Sequence, residues 1–204
     1  MTAFFIITIL LAVLLCTYLL YLRPRSLRWG ATDEEAAESM RGDGVVYRPD
    51  FKATRAVTVE ATPEEIWPWL LQIGSKRAGW YSIDLIDNGG TPSSTVILPE
   101  FQHIAEGDFI PFTPNRKNGM WVKSFETNGF ILWWDKKHLA SWLWKLVPVD
   151  PGRTRLITRL RTRYAWRSPW IVYYLIADVG DIVMMRKCML GIKERAEKAR
   201  ISAT

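Results

Sequence analysis

Residues 53–74 read ATRAVTVEATPEEIWPWLLQIG, and the hydrophobic period changes in the middle of them. ATRAVTVE, residues 53–60, alternates and is rich in β-branched side chains, which makes it a strand. Thr62 then suits a helix N-cap, Pro63 its first position, and Glu65 the third position of a capping box. The helix runs from Ile66 to Ile73 and stops at Gly74, with Pro68 expected to kink it or shorten its first turn. A capped helix directly after a strand fixes the start of an α+β domain.

Downstream, Trp80–Asn88 reads as a second short helix ending at Gly89-Gly90, and 91–103 as a loop. From Gly107 the pattern turns to strands over 108–112, 120–126, 130–135, 141–149 and 155–166. Turn sequences separate them, with Asn128-Gly129 the strongest hairpin signal. Ser168 and Pro169 suit the N-cap and first position of a last helix reaching Arg200, apolar in its first half and charged in its second. Residues 170–185 are too short for a membrane span and carry Asp178 and Asp181, so a helix packed on a sheet is the better account. The expected fold is a curved antiparallel sheet gripping one long C-terminal helix, with room for a cavity between them.

Upstream, residues 3–22 (AFFIITILLAVLLCTYLLYL) hold no charge. A helix rising 1.5 Å per residue needs roughly 20 apolar residues to cross a bilayer core. A cleaved signal is disfavoured, because nothing basic precedes the run and no small-residue cleavage site follows it. Arg23, Arg25 and Arg28 predict a cytoplasmic C-terminal side. The expected organisation is an anchor at 1–22, a juxtamembrane connector at 23–52 and a domain at 53–204, in a single-pass protein of the cell membrane. Within the connector, Thr32 or Asp33 caps a short acidic helix, and Arg41–Gly44 is a turn.

Composition narrows the function classes. The net charge of +6 is accounted for by attraction to an anionic leaflet, and no nucleic-acid-binding signature is present, so nucleic acid is not an expected partner. Two cysteines, Cys16 in the anchor and Cys188 in the last helix, make no disulfide framework. Two histidines without a Cys/His cluster argue against zinc or haem, so neither a metal nor a cofactor is expected. The sequence leaves the oligomeric state open.

Together with that element order, ATRAVTVEATPEEIWPWLLQIG, GWYSID at 79–84, ILPEFQHIAEGD at 97–108, TRLITRLRTRYAW at 154–166 and MMRKCMLGIKERAE at 184–197 resemble the SRPBCC (START-like, helix-grip) superfamily. The most similar branch is that of polyketide cyclase/dehydrase-like proteins with an N-terminal membrane segment. The resemblance spans roughly residues 53–200, and the anchor with the Trp-Gly-Ala-Thr connector fits the same branch. It implies a deep, largely apolar cavity that binds lipids or other hydrophobic small molecules, and it implies no single reaction.

The candidate ligand-binding residues are Trp80, Tyr81, Trp121, Trp142, Trp144, Arg161, Asp178 and Asp181. The chain has eleven tryptophans, and those on strands or on GWYSID are either an aromatic pocket wall or core. Trp133 and Trp134 are adjacent and must point to opposite faces, whereas Trp142 and Trp144 share parity. Arg159, Arg161 and Arg163 read as a solvated outer face, with Arg161 at a cavity mouth as the sharper alternative. Asp178 and Asp181, three residues apart, need partners if buried, and a strand arginine or an indole would serve. They are also candidate bases, with Asp84, for a cyclase or dehydratase on a polyketide-like or lipid substrate. Glu100 and Tyr81, on the family-like segments, are further candidates for which a structural role is the readier account. His103 and His138 fall in or near loops, and no Ser-His-Asp or Cys-His constellation is legible, so the catalytic residues stay unassigned. A third reading is a membrane-surface interaction module that uses the basic end of the last helix.

Overall fold

The computed structural model describes residues 1–164, 166–168 and 171–203. Strand β1 (Phe51–Val59) is followed by α4 (Pro63–Leu71), a short α5 (Asp84–Asp87), and strands β2 (Phe109–Pro111), β3 (Gly119–Glu126), β4 (Phe130–Trp134), β5 (Ala140–Asp150) and β6 (Arg153–Thr162). Ahead of them lie α1 (Thr2–Thr17), a π-helical turn at Tyr18–Leu22, α2 (Arg23–Leu27) and α3 (Asp33–Ala37). The last element is α6 (Ile171–Ala203). The expected first residue of that helix, Pro169, lies outside the described residues, as do Ala165 and Trp170.

The six strands form one antiparallel sheet in the order β1-β6-β5-β4-β3-β2. Register breaks between Val122 and Ser124 and between Pro148 and Asp150 bend it. The long α6 and the short α4 cover the concave face. The fold is therefore α+β, a helix-grip, with an apolar helix ahead of it.

Local chemistry explains the elements. Thr62 accepts from the Glu65 amide and Glu65 returns the bond to the Thr62 N–H, a complete capping box that starts α4. Asn128 takes the left-handed conformation, φ 59°, that its tight hairpin turn requires. The helix expected over Trp80–Asn88 shrinks to Asp84–Asp87 because Gly79 and Tyr81 have φ of 85° and 57°, which no right-handed helix accepts. Gly79 is also sterically required, since a Cβ there would stand 2.3 Å from the Ser93 hydroxyl.

The core lies between sheet and helices, with Ile66, Leu70 and Ile73 of the α4 region against Met189, Ile192 and Ala196 of α6 and against Trp144 and Leu156 of the sheet. Gly191 lets α6 approach the chain closely, because a Cβ there would lie 2.3 Å from the Tyr81 carbonyl oxygen. The charged half of α6 is fastened to strand ends: Lys193 donates to the Thr58 carbonyl at 2.7 Å and Arg200 to the Gly152 carbonyl at 2.7 Å.

Of the solvated row expected on the convex face, Arg163 is exposed, but Arg159 and Arg161 are covered. The connector lies across that face. Arg159 is 2% exposed and donates to Thr54, to Asp43 and to the carbonyls of Glu35, Ala36 and Glu38. Arg161 pairs with Asp43 at 3.1 Å, and Arg155 clasps Glu35 through two bonds of 2.7 and 2.8 Å. The helix termini and turns of the connector leave carbonyls without backbone partners, and these arginines satisfy them. Met40, Ala56, Phe130, Leu132, Leu143 and Ile157 form a second apolar cluster beneath it.

The Arg155 clasp holds the Glu35 carboxyl below its ordinary pKa of 4.5. A depressed carboxylate adds stability above that value and loses it as pH falls through the lower folded value. Glu35→Gln is expected to cost about 2 kcal/mol at neutral pH, typical of hydrogen bonds to a charged group. It also flattens the loss of stability below pH 4.5, measured as melting temperature against pH.

Candidate functional site

A cavity of about 590 Å³ opens between the sheet and the first half of α6. Its walls include Trp80, Phe112, Trp142, Leu160, Met184 and Met185. The volume lies within the roughly 300–1,000 Å³ range of small-molecule pockets, and the lining is mostly apolar with few polar groups.

The aromatic wall is built in layers. Trp142 of β5 lies parallel to Trp80 with ring centroids 5.7 Å apart, and Phe112 stands edge-on to both at 5.3 and 5.8 Å. Trp142 donates its indole N–H to the Thr158 hydroxyl at 2.7 Å, which locks its orientation. Trp133 and Trp144 pack behind Trp142 at 5.3 Å each and are fully buried, outside the lining. The indole N–H groups of Trp80, Trp133 and Trp144 are buried with no acceptor among the described residues. Trp80 is the one of the three whose ring lines the cavity, and its buried indole nitrogen is packed within the wall.

The other candidates separate. Tyr81 is buried; its hydroxyl accepts from Gln72 at 2.9 Å and donates to the Trp69 carbonyl at 3.3 Å, and burial pushes its pKa up. It ties the GWYSID segment to α4 and does not line the cavity. Trp121 lies on the convex side with Phe109 and Lys136. Trp134 lies under Lys123, opposite in face to Trp133. Arg161 meets Asp43 and the Val46 carbonyl on the convex face, away from the cavity. Asp84 accepts from the Ser93 amide and hydroxyl and is not a lining residue. His103 and His138 are exposed, and no group of metal-ligating side chains occurs among the described residues.

Asp178 and Asp181 do line the cavity. Asp178 accepts from Arg23 at 2.7 and 3.0 Å and from the Tyr164 hydroxyl at 3.2 Å. Asp181 pairs with Arg55 at 2.7 Å, and the Arg55 side chain is 1% exposed. Arg55 also donates to the Ser26 carbonyl at 2.7 Å. Burial drives the Asp181 carboxyl above its ordinary pKa, with Arg55 opposing the shift. Asp87 also lines the wall and is raised by burial. The cavity thus has an aromatic wall and an acidic wall in which Asp178 and Asp181 are matched by arginines and Asp87 is not.

Sequence reasoning singled out neither Arg55 nor Arg23 as a site residue. The signal was present for Arg55. It shares parity with Ala53, Val57 and Val59 on the inward row of ATRAVTVE, where an arginine demands a buried acid.

No protein-family model and no curated protein matches the chain. Solved structures do. A conserved protein of unknown function from Enterococcus faecalis is 11% identical, with 78% of this chain and 90% of that chain covered and a TM-score of 0.44. A polyketide-cyclase-like protein from Corynebacterium glutamicum is 14% identical, covering 70% and 88%, with a TM-score of 0.42. A protein from Mesorhizobium loti is 13% identical, covering 72% and 98%, with a TM-score of 0.45. The strand order and register described above stand independently of these likenesses.

Asp181→Asn leaves Arg55 buried without a counter-charge and is expected to cost about 3–5 kcal/mol. The paired replacement Arg55→Met with Asp181→Leu is expected to recover most of that loss, because two desolvated charges leave together. Chemical denaturation of the two variants compares them directly.

Proposed function

We propose that this is a single-pass protein of the cell membrane whose cytoplasmic helix-grip domain binds a hydrophobic small molecule or lipid between sheet and α6. The observation that carries the reading is the 590 Å³ aromatic-walled cavity at the inner end of an apolar helix. Phe4–Leu27 is long and apolar enough to cross a membrane. The hydroxyls of Thr8 and Thr17 bond to the carbonyls of Phe4 and Val13 within the helix, which suits a span without water. Arg23, which ends the apolar run, reaches Asp178 in the cavity wall. A hydrophobic ligand partitions into the bilayer, so an anchored pocket meets it at high local concentration.

Gly180 makes the test selective. It lines the cavity from α6, and among the described residues the only atom a Cβ there would meet is the Met184 sulfur at 4.0 Å. Gly180→Leu is expected to stabilise the helix by up to about 1 kcal/mol while filling the cavity. The measurement is binding of a fluorescent fatty-acid probe to the full chain in nanodiscs, read by quenching of tryptophan emission. Binding should weaken at least tenfold in the variant, whereas equal binding by both chains would sink the cavity reading.

A second reading is an enzyme of cyclase or dehydratase type. It is supported by Asp181 lying in the cavity wall with a raised pKa. Its ion pair with Arg55 counts against it, since a base already engaged by a buried guanidinium must break that pair to take a proton.

A further inference from the structure

A second concavity, about 570 Å³ and more open, adjoins the end of the apolar helix. It is lined by Arg48, Asp50, Arg163, Tyr164, Trp166 and Arg167, with Ser168 at its edge. Three guanidiniums face one carboxylate. Asp50 does not form an ion pair with any of them, because its two oxygens accept from the Tyr164 amide at 2.7 Å and the Trp166 indole at 2.8 Å. Those bonds hold the Asp50 carboxyl below its ordinary pKa and fix the shape of the dish. Arg48 lies over the Tyr47 ring, 5.2 Å from its centroid. Arg48, Arg163 and Arg167 have no carboxylate within ion-pair distance among the described residues.

The dish sits where headgroups would be. Tyr164, which lines it, donates to Asp178, and Asp178 also holds Arg23 at the end of the apolar run. Leu27 packs on Phe51, Ala53 and Tyr164. The anchor end is therefore one side chain away from the dish and is pinned to it. Trp166, 59% exposed beside the arginines, is the amphipathic residue favoured at a membrane interface.

We propose that the Arg48–Arg163–Arg167 dish binds the phosphate headgroup of an anionic lipid in the bilayer that holds the anchor. Fork-shaped guanidiniums match phosphate oxygens, and a negative leaflet attracts each arginine near its surface. The site rests on the anchor part of the proposed function and is independent of what the apolar cavity carries.

The test uses the full chain in nanodiscs of phosphatidylcholine with a minor fraction of phosphatidylglycerol, released for native mass spectrometry. Phosphatidylglycerol adducts are expected at about five times their share of the bilayer, and at that share in Arg163→Glu/Arg167→Glu. Should the reversed chain misfold, Arg48→Gln/Arg167→Gln is read instead, with enrichment expected to fall about threefold. Adducts that follow the bulk ratio in the unaltered chain, or enrichment that survives both pairs of changes, overturn the site. Enrichment abolished by soluble glycerol phosphate as readily as by the substitutions assigns the dish to free phosphate and overturns the lipid. Failure of the chain to enter nanodiscs removes the anchor and this site together. Fatty-acid probe binding that persists in the charge-reversed chain leaves the cavity reading intact whatever the adducts show.

Discussion

Two arginine–aspartate pairs, one buried and one half-buried, hold three parts of this chain in one geometry. Arg55 projects from β1 into the interior, 1% exposed, and meets Asp181 of α6. Arg23, at the end of the apolar helix, meets Asp178 one turn earlier on α6. Such pairs add little net stability, since desolvation offsets attraction. Their leverage is positional. Either charge left alone in that interior is costly, so the strand, the long helix and the apolar helix hold one relative placement. The carbonyl of Ser26 accepts from Arg55 as well, which joins the two pairs through the backbone of α2.

That constraint explains why the cavity exists. Two carboxylates, each paired to an arginine outside the lining, occupy the wall where apolar side chains would otherwise close sheet against helix. The first half of α6 carries the ion-paired aspartates, while its second half, with Met189, Ile192 and Ala196, closes fully on the core. Gly180 leaves the space unfilled at the level of the aspartates. The aromatic wall faces this gap with one oriented indole, that of Trp142, and one unpartnered indole, that of Trp80.

Much of this architecture was legible because it is written in periods and caps. Thr62, Pro63 and Glu65 announce α4, and alternation announces β1 and β6. The opposite faces of Trp133 and Trp134 follow from strand geometry alone. What was hidden depends on contacts between distant segments. Parity puts Arg159 on the convex face, but only the folded connector reveals that this face is covered and that the arginine caps orphan carbonyls. Tyr81 and Trp80 read as helical by composition. The left-handed backbone at Gly79 and Tyr81, imposed by packing on Ser93 and α6, is a tertiary effect that propensity does not carry.

The same contacts weigh binding against catalysis. A catalytic carboxylate in an apolar pocket gains from being unpaired, because desolvation alone then tunes it towards neutral pH. Here Asp178 and Asp181 are each engaged by an arginine from a different segment, and Asp84 is spent on Ser93. Asp87 is the remaining lining carboxylate raised by burial, and one of its oxygens accepts from the Ile83 amide that starts α5. Asp178 and Asp181 are thus fastened by arginines and Asp87 by one amide, its other oxygen being buried without a partner among the described residues, whereas the aromatic side offers apolar surface. On the proposed reading, a site of that composition would retain an apolar molecule through the area it buries against the aromatic wall, which asks nothing of the carboxylates opposite.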